Sequence, residues 1–215
     1  MSKFSQCCAT LCYVAQLDDS KKRTFTEVAR RAQIVGAAID TIAETGYANA
    51  SFGRIAKRAG LSSTGMISYY FDGKDELDGE VIAAVLRTAG EFVGPRLAAA
   101  QSHGDWLSAY IQSNLGFVSA YPEQTLALAQ IVTASRPRAA GADQFVDAFE
   151  PLADRLRAGQ KAGEFGAFDA RVMAIAIRGA IDATVGLYTR DRSIDLETYA
   201  RELAESFDRC TRRPV

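Results

Sequence analysis

Apolar residues recur every three to four positions along most of the chain, and this period places them on one face of an α-helix. Alternation at every second position, which is typical of half-buried strands, is scarce. The first helix is predicted over residues 26–45, and Gly46 is expected to end it. Its apolar face is predicted to contain Val28, Ala29, Ile34, Ala38, Ile42 and Ala43.

Two short helices separated by a glycine are predicted next. Ser51 is a suitable N-cap for the first of them, because its side chain can accept a hydrogen bond from a free backbone N–H. Gly60 interrupts the pattern, and the second short helix follows Ser62. A longer helix is expected to begin near Lys74, with Asp72 available as its cap. The apolar face of the first short helix would hold Phe52, Ile55, Ala56 and Ala59.

Longer helices account for the rest of the chain. They are predicted over residues 74–100, 104–121, 123–136, 143–162, 169–190 and 195–211. Glycine and proline are expected to supply the breaks, at Gly94-Pro95, Gly104, Pro122, Pro137, Gly141 and the segment AGEFGAFD. The chain is therefore predicted to be all-α, with a flexible N-terminal tail over residues 1–24, a three-helix head over 25–73 and a larger helical domain over 74–215.

Charge is distributed unevenly between these regions. Residues 21–74 contain nine Lys or Arg and four Asp or Glu, which gives +5, although the whole chain carries only −1. Residues 75–215 contain fifteen basic and twenty acidic residues, which gives −5. A basic block joined to an acidic remainder is typical of a DNA-binding head on a body that does not bind DNA.

Cysteine, histidine and catalytic motifs narrow the function classes. Cys7, Cys8 and Cys12 crowd near one end and Cys210 lies near the other, without a C-x-x-C pair, so no metal site is predicted. Reduced thiols are typical of the cytoplasm, and no apolar run reaches the roughly 18 residues of a membrane helix. The single histidine, His103, is expected at the surface. Without G-x-S-x-G, H-E-x-x-H or a glycine-rich phosphate loop, neither an enzyme nor a cofactor is expected, although carboxylate catalysis stays open as an alternative.

The segment GYANASFGRIAKRAGLSSTGMISYYFDGKDEL, residues 46–77, has the features of a helix-turn-helix. Gly60 can adopt the left-handed backbone conformation that a tight turn favours, and Leu61 supplies an apolar anchor after it. The second helix of such a motif lies in the major groove of DNA, with the residues near its start close to the base edges. Small residues are expected at that place, namely Ser62, Ser63, Thr64 and Gly65.

Groups able to hold phosphate surround this motif. Arg54, Lys57 and Arg58 lie on the exposed side of the first short helix, although all three cannot face DNA at once. A tyrosine hydroxyl can hydrogen-bond a phosphate oxygen, and Lys74 lies at a helix start, where free N–H groups favour an anion. The predicted DNA-binding residues are Ser51, Arg54, Ser62, Ser63, Thr64, Gly65, Met66, Ser68, Tyr69, Tyr70 and Lys74.

These residues resemble the DNA-binding domain of the TetR family of bacterial transcriptional repressors. The resemblance covers about residues 25–80 and is carried by AQIVGAAIDTIAETGY, FGRIAKRAGLS and the YYF-x-x-KDEL ending. It implies a double-stranded DNA operator, a homodimer formed through the last two helices and a small-molecule effector bound in the larger domain. The segment LSSTGMIS is one residue longer than the family's commonest spacing. The extra residue either lies in the turn or rotates the second helix by about 100°.

Several residues of the larger domain are relevant to the implied homodimer and to the implied effector site. Small residues in the penultimate helix would let helices approach closely, within one bundle or across a subunit interface; they are Ala174, Gly179, Ala180, Ala183 and Gly186. Arg178 and Asp182 interrupt an apolar run at i, i+4 spacing, either as a structural ion pair or because one contacts a ligand. The predicted ligand-pocket residues are Phe92, Trp106, Tyr110, Phe117, Tyr121, Phe145, Phe149 and Arg178, with ordinary core packing as the alternative for each ring.

Together these patterns predict a ligand-released homodimeric repressor that recognises a pseudo-palindromic operator in the cytoplasm. The alternative from another class is a helical adaptor or small-molecule-binding protein with a vestigial DNA-binding head. The two differ in one measurable respect, which is whether the head prefers one DNA sequence over others.

Overall fold

The computed structural model describes residues 24–134 and 149–213, and every regular element in these stretches is a helix. The all-α class predicted from the sequence is therefore confirmed. A single 3-10 turn, Tyr47–Asn49, follows the first helix. The helices are α1 (Phe25–Thr45), α2 (Phe52–Arg58), α3 (Gly65–Tyr70), α4 (Lys74–Ala98), α5 (His103–Ala120), α6 (Pro122–Ala134), α7 (Glu150–Lys161), α8 (Ala170–Arg190) and α9 (Leu196–Thr211).

One predicted break is absent, because α4 continues through Gly94-Pro95 and ends at Ala98. A proline lacks the N–H that would donate to the carbonyl four residues earlier. Pro95 lies in the last turn of α4, so the helix loses this one hydrogen bond close to its end and continues. The predicted breaks at Pro137 and Gly141 lie outside the described residues.

The described helices form two compact units. The head unit consists of residues 24–88 and 121–134, and contains α1, α2, α3, α6 and the first part of α4. Within it α1 packs against α2, α3 and α6, and α2 packs against α3. The core of the head unit is formed by Ile34, Ile42, Ile55, Ile67, Phe71, Leu77 and Ile131.

The body unit consists of residues 89–120 and 149–213. In it α5 packs against α7, α8 and α9, and α8 also contacts α7 and α9. Since the boundary between the units falls within α4, this helix belongs to both of them. The buried core of the body unit includes Leu107, Tyr110, Ile111, Leu115, Leu156, Ile177 and Ile181.

The apolar face of α1 is shorter than its sequence pattern predicts. Thr24 caps the helix, since its side-chain oxygen accepts a hydrogen bond from the Glu27 N–H at 3.3 Å. The buried residues of α1 begin at Arg31, whereas Val28 is 53% exposed and Ala29 is also exposed. The prediction that these two belong to the buried face is wrong, because burial along α1 starts only two turns into the helix.

The helix α8 is long and apolar enough to cross a bilayer by length and composition alone. Its contacts are those of a core helix, since Ala174, Ile177 and Ile181 are buried in the body unit. Its middle also carries Arg178, whose side chain is only 9% exposed and forms an ion pair. This packing accounts for the apolar residues on the buried side of α8, whereas Val172, Ile175 and Leu187 on its other side are exposed.

Candidate DNA-binding interface

The helix-turn-helix is built from α2, the turn at residues 59–64 and α3. Ser51 caps α2 as predicted, because its Oγ accepts a hydrogen bond from the Arg54 N–H at 3.4 Å. Gly60 has φ +65°, the left-handed conformation that the turn requires. The N–H of Leu61 donates to the Ala56 carbonyl at 2.9 Å and so holds the turn against the end of α2.

The start of α3 differs from the sequence prediction. The helix begins at Gly65, so Ser62, Ser63 and Thr64 lie in the turn rather than in its first positions. The rotation that the sequence left open is fixed by burial, because Ile67 is fully buried in the head unit. The three turn residues are exposed and precede the helix.

The outward face of α3 is formed by Gly65, Ser68 and Tyr69. These residues have i, i+3 and i+4 spacing, and all three are exposed. Tyr69 is 82% exposed, so nearly all of its ring and hydroxyl face solvent. Met66 and Tyr70 are half-buried on the flanks of the helix, and the Tyr70 ring packs edge-on against the Tyr69 ring at 5.0 Å.

The three basic residues of α2 have different surroundings. The Arg58 guanidinium donates a hydrogen bond to Glu44 and lies 3.9 Å from an Asp40 oxygen. Two carboxylates of α1 thus neutralise Arg58 within the head unit. Arg54 and Lys57 are exposed, which makes them the available phosphate contacts of this helix.

Lys74 belongs to a polar cluster that the sequence did not predict. Its Nζ lies 3.7 Å above the centre of the Tyr47 ring and donates to the Tyr47 carbonyl at 3.3 Å. The Tyr47 hydroxyl donates to an Asp78 oxygen at 2.5 Å, and the Tyr47 N–H donates to Gln130 Oε1 at 2.7 Å. The 3-10 turn is thereby joined to both α4 and α6. Any phosphate bound by Lys74 would share its ammonium with Tyr47.

Burial changes the acidity of this cluster. Desolvation raises the pKa of Asp78 above its ordinary value, although the hydrogen bond from Tyr47 and the charge of Lys74 oppose the rise. The pKa of Tyr47 is raised too, first by burial and then by the adjacent Asp78 carboxylate. The protonated hydroxyl of Tyr47 therefore persists as the donor.

Arg31 is a second buried group that the sequence analysis counted only as basic charge. It lies on α1 and is 7% exposed. Its Nη1 donates to the Tyr70 carbonyl, and its Nη2 lies 2.7 Å from Glu76 and 2.6 Å from Glu80. Its position three residues before Ile34, on the buried face of α1, was the available signal.

The predicted ligand-pocket residues do not all lie in the same unit of the structure. Trp106 and Tyr110 stack in the body unit with their ring centres 5.3 Å apart, and Phe92 contacts Phe117 at 5.9 Å. Phe149 precedes α7 in the same unit. Tyr121 lies in the head unit next to α6, and Phe145 lies outside the described residues.

Arg178 forms an ion pair with Asp182 at 2.7 Å across one turn of α8, which is the first of the two alternatives that the sequence left open. Its Nη1 also lies 3.5 Å from the Asn114 side-chain oxygen on α5.

His103, expected at the surface, is the first residue of α5 and is half-buried beside the Phe165 ring, 6.3 Å away. The His103 ring meets the Phe165 ring edge-on, which is a packing role for this half-buried histidine.

An apolar stripe remains exposed along α8. Val172 is 65% exposed, Ile175 46% and Leu187 45%, and their spacing places them along one side of the helix. Gly179 and Ala183 are exposed between them. On α9, Tyr199 is 39% exposed.

Comparison with known sequences assigns the helix-turn-helix to a described family. Residues 34–81 match the family described as bacterial regulatory proteins, tetR family. The HTH-type transcriptional regulator BetI 1 of Chromohalobacter salexigens is 41% identical over 86 residues, which are 40% of this chain and 42% of that protein. The HTH-type transcriptional regulator BetI of Stenotrophomonas maltophilia is 39% identical over 89 residues, 41% and 45% of the two chains. The chain thus matches less than half the length of these relatives.

Solved structures share the fold over most of the chain. A protein of Saccharomonospora viridis, described as a transcriptional regulator in complex with choline, gives a TM-score of 0.74 at 22% identity, over 87% of this chain and all of that one. A TetR transcription regulator of Haloarcula marismortui gives a TM-score of 0.72 at 20% identity, over 86% of this chain and 100% of that one. FadR of Bacillus subtilis in complex with stearoyl-CoA gives a TM-score of 0.63 at 24% identity, over 82% of this chain and 96% of that one.

Proposed function

Since residues 34–81 match the tetR family of bacterial regulatory proteins, we propose that the chain is a DNA-binding transcriptional regulator of the cytoplasm and no enzyme. In this proposal it is a homodimeric repressor that a small molecule releases from its operator. The observation that carries the proposal is the outward face of α3, where Gly65, Ser68 and Tyr69 project from a buried scaffold. A base-reading helix needs such a face.

The proposed DNA contacts are of two kinds, those to base edges in the groove and those to phosphates beside it. The outward residues of α3 approach base edges, and small Gly65 allows the backbone to come close. The exposed turn residues Ser62, Ser63 and Thr64 flank them. Phosphate contacts are assigned to Ser51, which caps α2, and to the exposed Arg54 and Lys57 of that helix. Tyr70, Lys74 and Met66 are proposed to line the sides of the same surface.

The exposed stripe of α8 supports a homodimer. An isolated protomer would leave Val172, Ile175 and Leu187 in water, whereas a second copy could bury the same stripe about a two-fold axis. Exposed Gly179 and Ala183 would let the two backbones approach closely. A symmetric dimer reads two half-sites one helical turn apart, which is the reason to expect a pseudo-palindromic operator.

A small-molecule effector is proposed for the body unit. The solved structures with choline and with stearoyl-CoA show that proteins of this fold bind ligands of very different chemistry. The body unit contains the residue types that such a pocket would use, namely the stacked rings of Trp106 and Tyr110, the ring of Phe117 and the buried cation of Arg178. Binding would favour a spacing of the two heads that no longer matches the groove repeat of about 34–36 Å.

The test compares two duplexes of equal length by fluorescence anisotropy. One is the intergenic DNA upstream of the protein's own gene, and the other has the same base composition in scrambled order. At about 50 mM salt we expect at least about a thousandfold preference for the intergenic duplex, the lower end of the range of specific over non-specific binding. Affinity for both should fall steeply with added salt, because phosphate contacts release counterions. Equal affinity for the two duplexes would contradict the proposal.

A further inference from the structure

The guanidinium of Arg31 connects three helices of the head unit. The residue lies on α1 within the basic stretch at residues 21–74, yet it is only 7% exposed. Its positive charge is therefore used inside the protein and is not available to DNA phosphates.

On one side Arg31 holds the end of α3. The last carbonyls of a helix have no partner within the helix, and the Tyr70 carbonyl is one of these. Arg31 Nη1 donates to it, and the guanidinium carbon lies 4.1 Å from the centre of the Phe71 ring. Both contacts act on the residues where α3 ends.

On the other side Arg31 holds the start of α4. Glu76 and Glu80 are one turn apart, and both accept from Arg31 Nη2, at 2.7 Å and 2.6 Å. The second oxygen of Glu76 accepts from the Asp72 N–H at 2.5 Å, in the link between the two helices. The end of α3 and the first two turns of α4 thus share one cation.

We propose that Arg31 is a positioning residue that fixes the direction of α3 relative to α4 and thereby determines how selectively the head reads bases. This role of Arg31 presupposes the proposed function. With six residues, α3 is too short to be stable by its own hydrogen bonds, so its direction depends on contacts at its ends. Base contacts need a fixed geometry, whereas phosphate attraction tolerates small rotations.

The experiment uses the full-length protein and a duplex selected by it from a random library. Arg31→Lys keeps the charge but loses the planar fork that reaches Tyr70 and the two glutamates together. We expect it to weaken binding of the selected duplex by about tenfold, as loss of one good base contact would, and to leave binding of unselected duplex within twofold. Arg30→Lys is the matched control, because Arg30 is the neighbour of Arg31 on α1 and its side chain, among the described residues, donates a hydrogen bond to Gln33 at 2.8 Å.

Thermal unfolding of each variant separates positioning from folding. A merely structural role would lower the unfolding temperature and weaken both duplexes in equal proportion. If Arg31→Lys does not fold, the double variant Glu76→Gln, Glu80→Gln loosens the same contact from the α4 side and should also lose selectivity. If the folded variants keep the wild-type preference for the selected duplex, the positioning role of Arg31 is overturned, while the proposed function stands. A wild-type protein that enriches no duplex at all overturns the proposed function together with it.

Discussion

In the head unit the ring of Tyr47 lies between a cation and a carboxylate. Lys74 covers its face, and its hydroxyl donates to Asp78, which is 6% exposed. A buried carboxylate with one strong donor and one nearby ammonium is stabilised as an anion less well than in water, and its pKa is raised accordingly. Such a group makes stability depend on pH.

Asp78→Asn tests this dependence. Because the pKa of Asp78 is higher in the folded chain than its ordinary value of 3.8, the folded state holds the proton more tightly than the unfolded state does. The wild type therefore loses stability relative to the variant as pH rises above about 4. Urea unfolding at pH 4.5 and pH 7 should show the variant gaining on the wild type at the higher pH.

Tyr47→Phe is the second variant to be compared with the wild type by urea unfolding at the two pH values. It removes the hydrogen bond that lowers the pKa of Asp78, so the variant should lose more stability than the wild type between pH 4.5 and pH 7. A difference between wild type and Asp78→Asn that is the same at both pH values would show that the carboxyl titrates alike in both states.

Between α2 and α3, Gly60 provides a conformation that other residues adopt at a cost. Its φ is +65°, and a Cβ added there would meet nothing within 4 Å. Gly60→Ala should therefore lower the free energy of unfolding by about 1 kcal/mol through backbone strain alone. Gly36→Ala, in an ordinary turn of α1 with equally open space, should raise it by up to about 1 kcal/mol. Urea unfolding of both variants would contradict this account if the two changes had the same sign.

At the level of the helices, most boundaries followed from periodicity. Gly46 and Ser51 end and begin helices as expected, because capping depends on local chemistry that a sequence displays. The exposure of Val28 was not predictable in this way, and the break expected at Pro95 does not interrupt the helix that periodicity predicted over residues 74–100. Periodicity shows which face of a helix is apolar, but the neighbours in the fold determine how far along the helix that face is covered.

The candidate site shows the same division. Exposure of Ser68 and Tyr69 follows from helical spacing once the first residue of α3 is known. The contacts of Arg31 and of Lys74 join residues 27 to 49 positions apart, and nothing in local spacing selects those partners. The sequence therefore predicted the basic charge of both residues but not their role inside the head unit.

At the scale of the whole molecule, the stripe on α8 predicts association. Val172→Glu should place a charge at the proposed two-fold contact and convert the dimer to a monomer in sedimentation velocity. Val132→Glu is the matched control, since Val132 is an exposed valine of α6, at 39%. Loss of the dimer in both variants, or in neither, would show that α8 is not the interface.

In the proposed homodimer, an apolar stripe that a second copy covers makes regulation depend on abundance. At low copy number single protomers predominate, and each holds one half-site weakly. As the protein accumulates, dimers form in proportion to the square of the protomer concentration, so operator occupancy rises more steeply than simple binding allows. The surface of α8 would thus set a threshold in expression level, below which the genes it controls remain active.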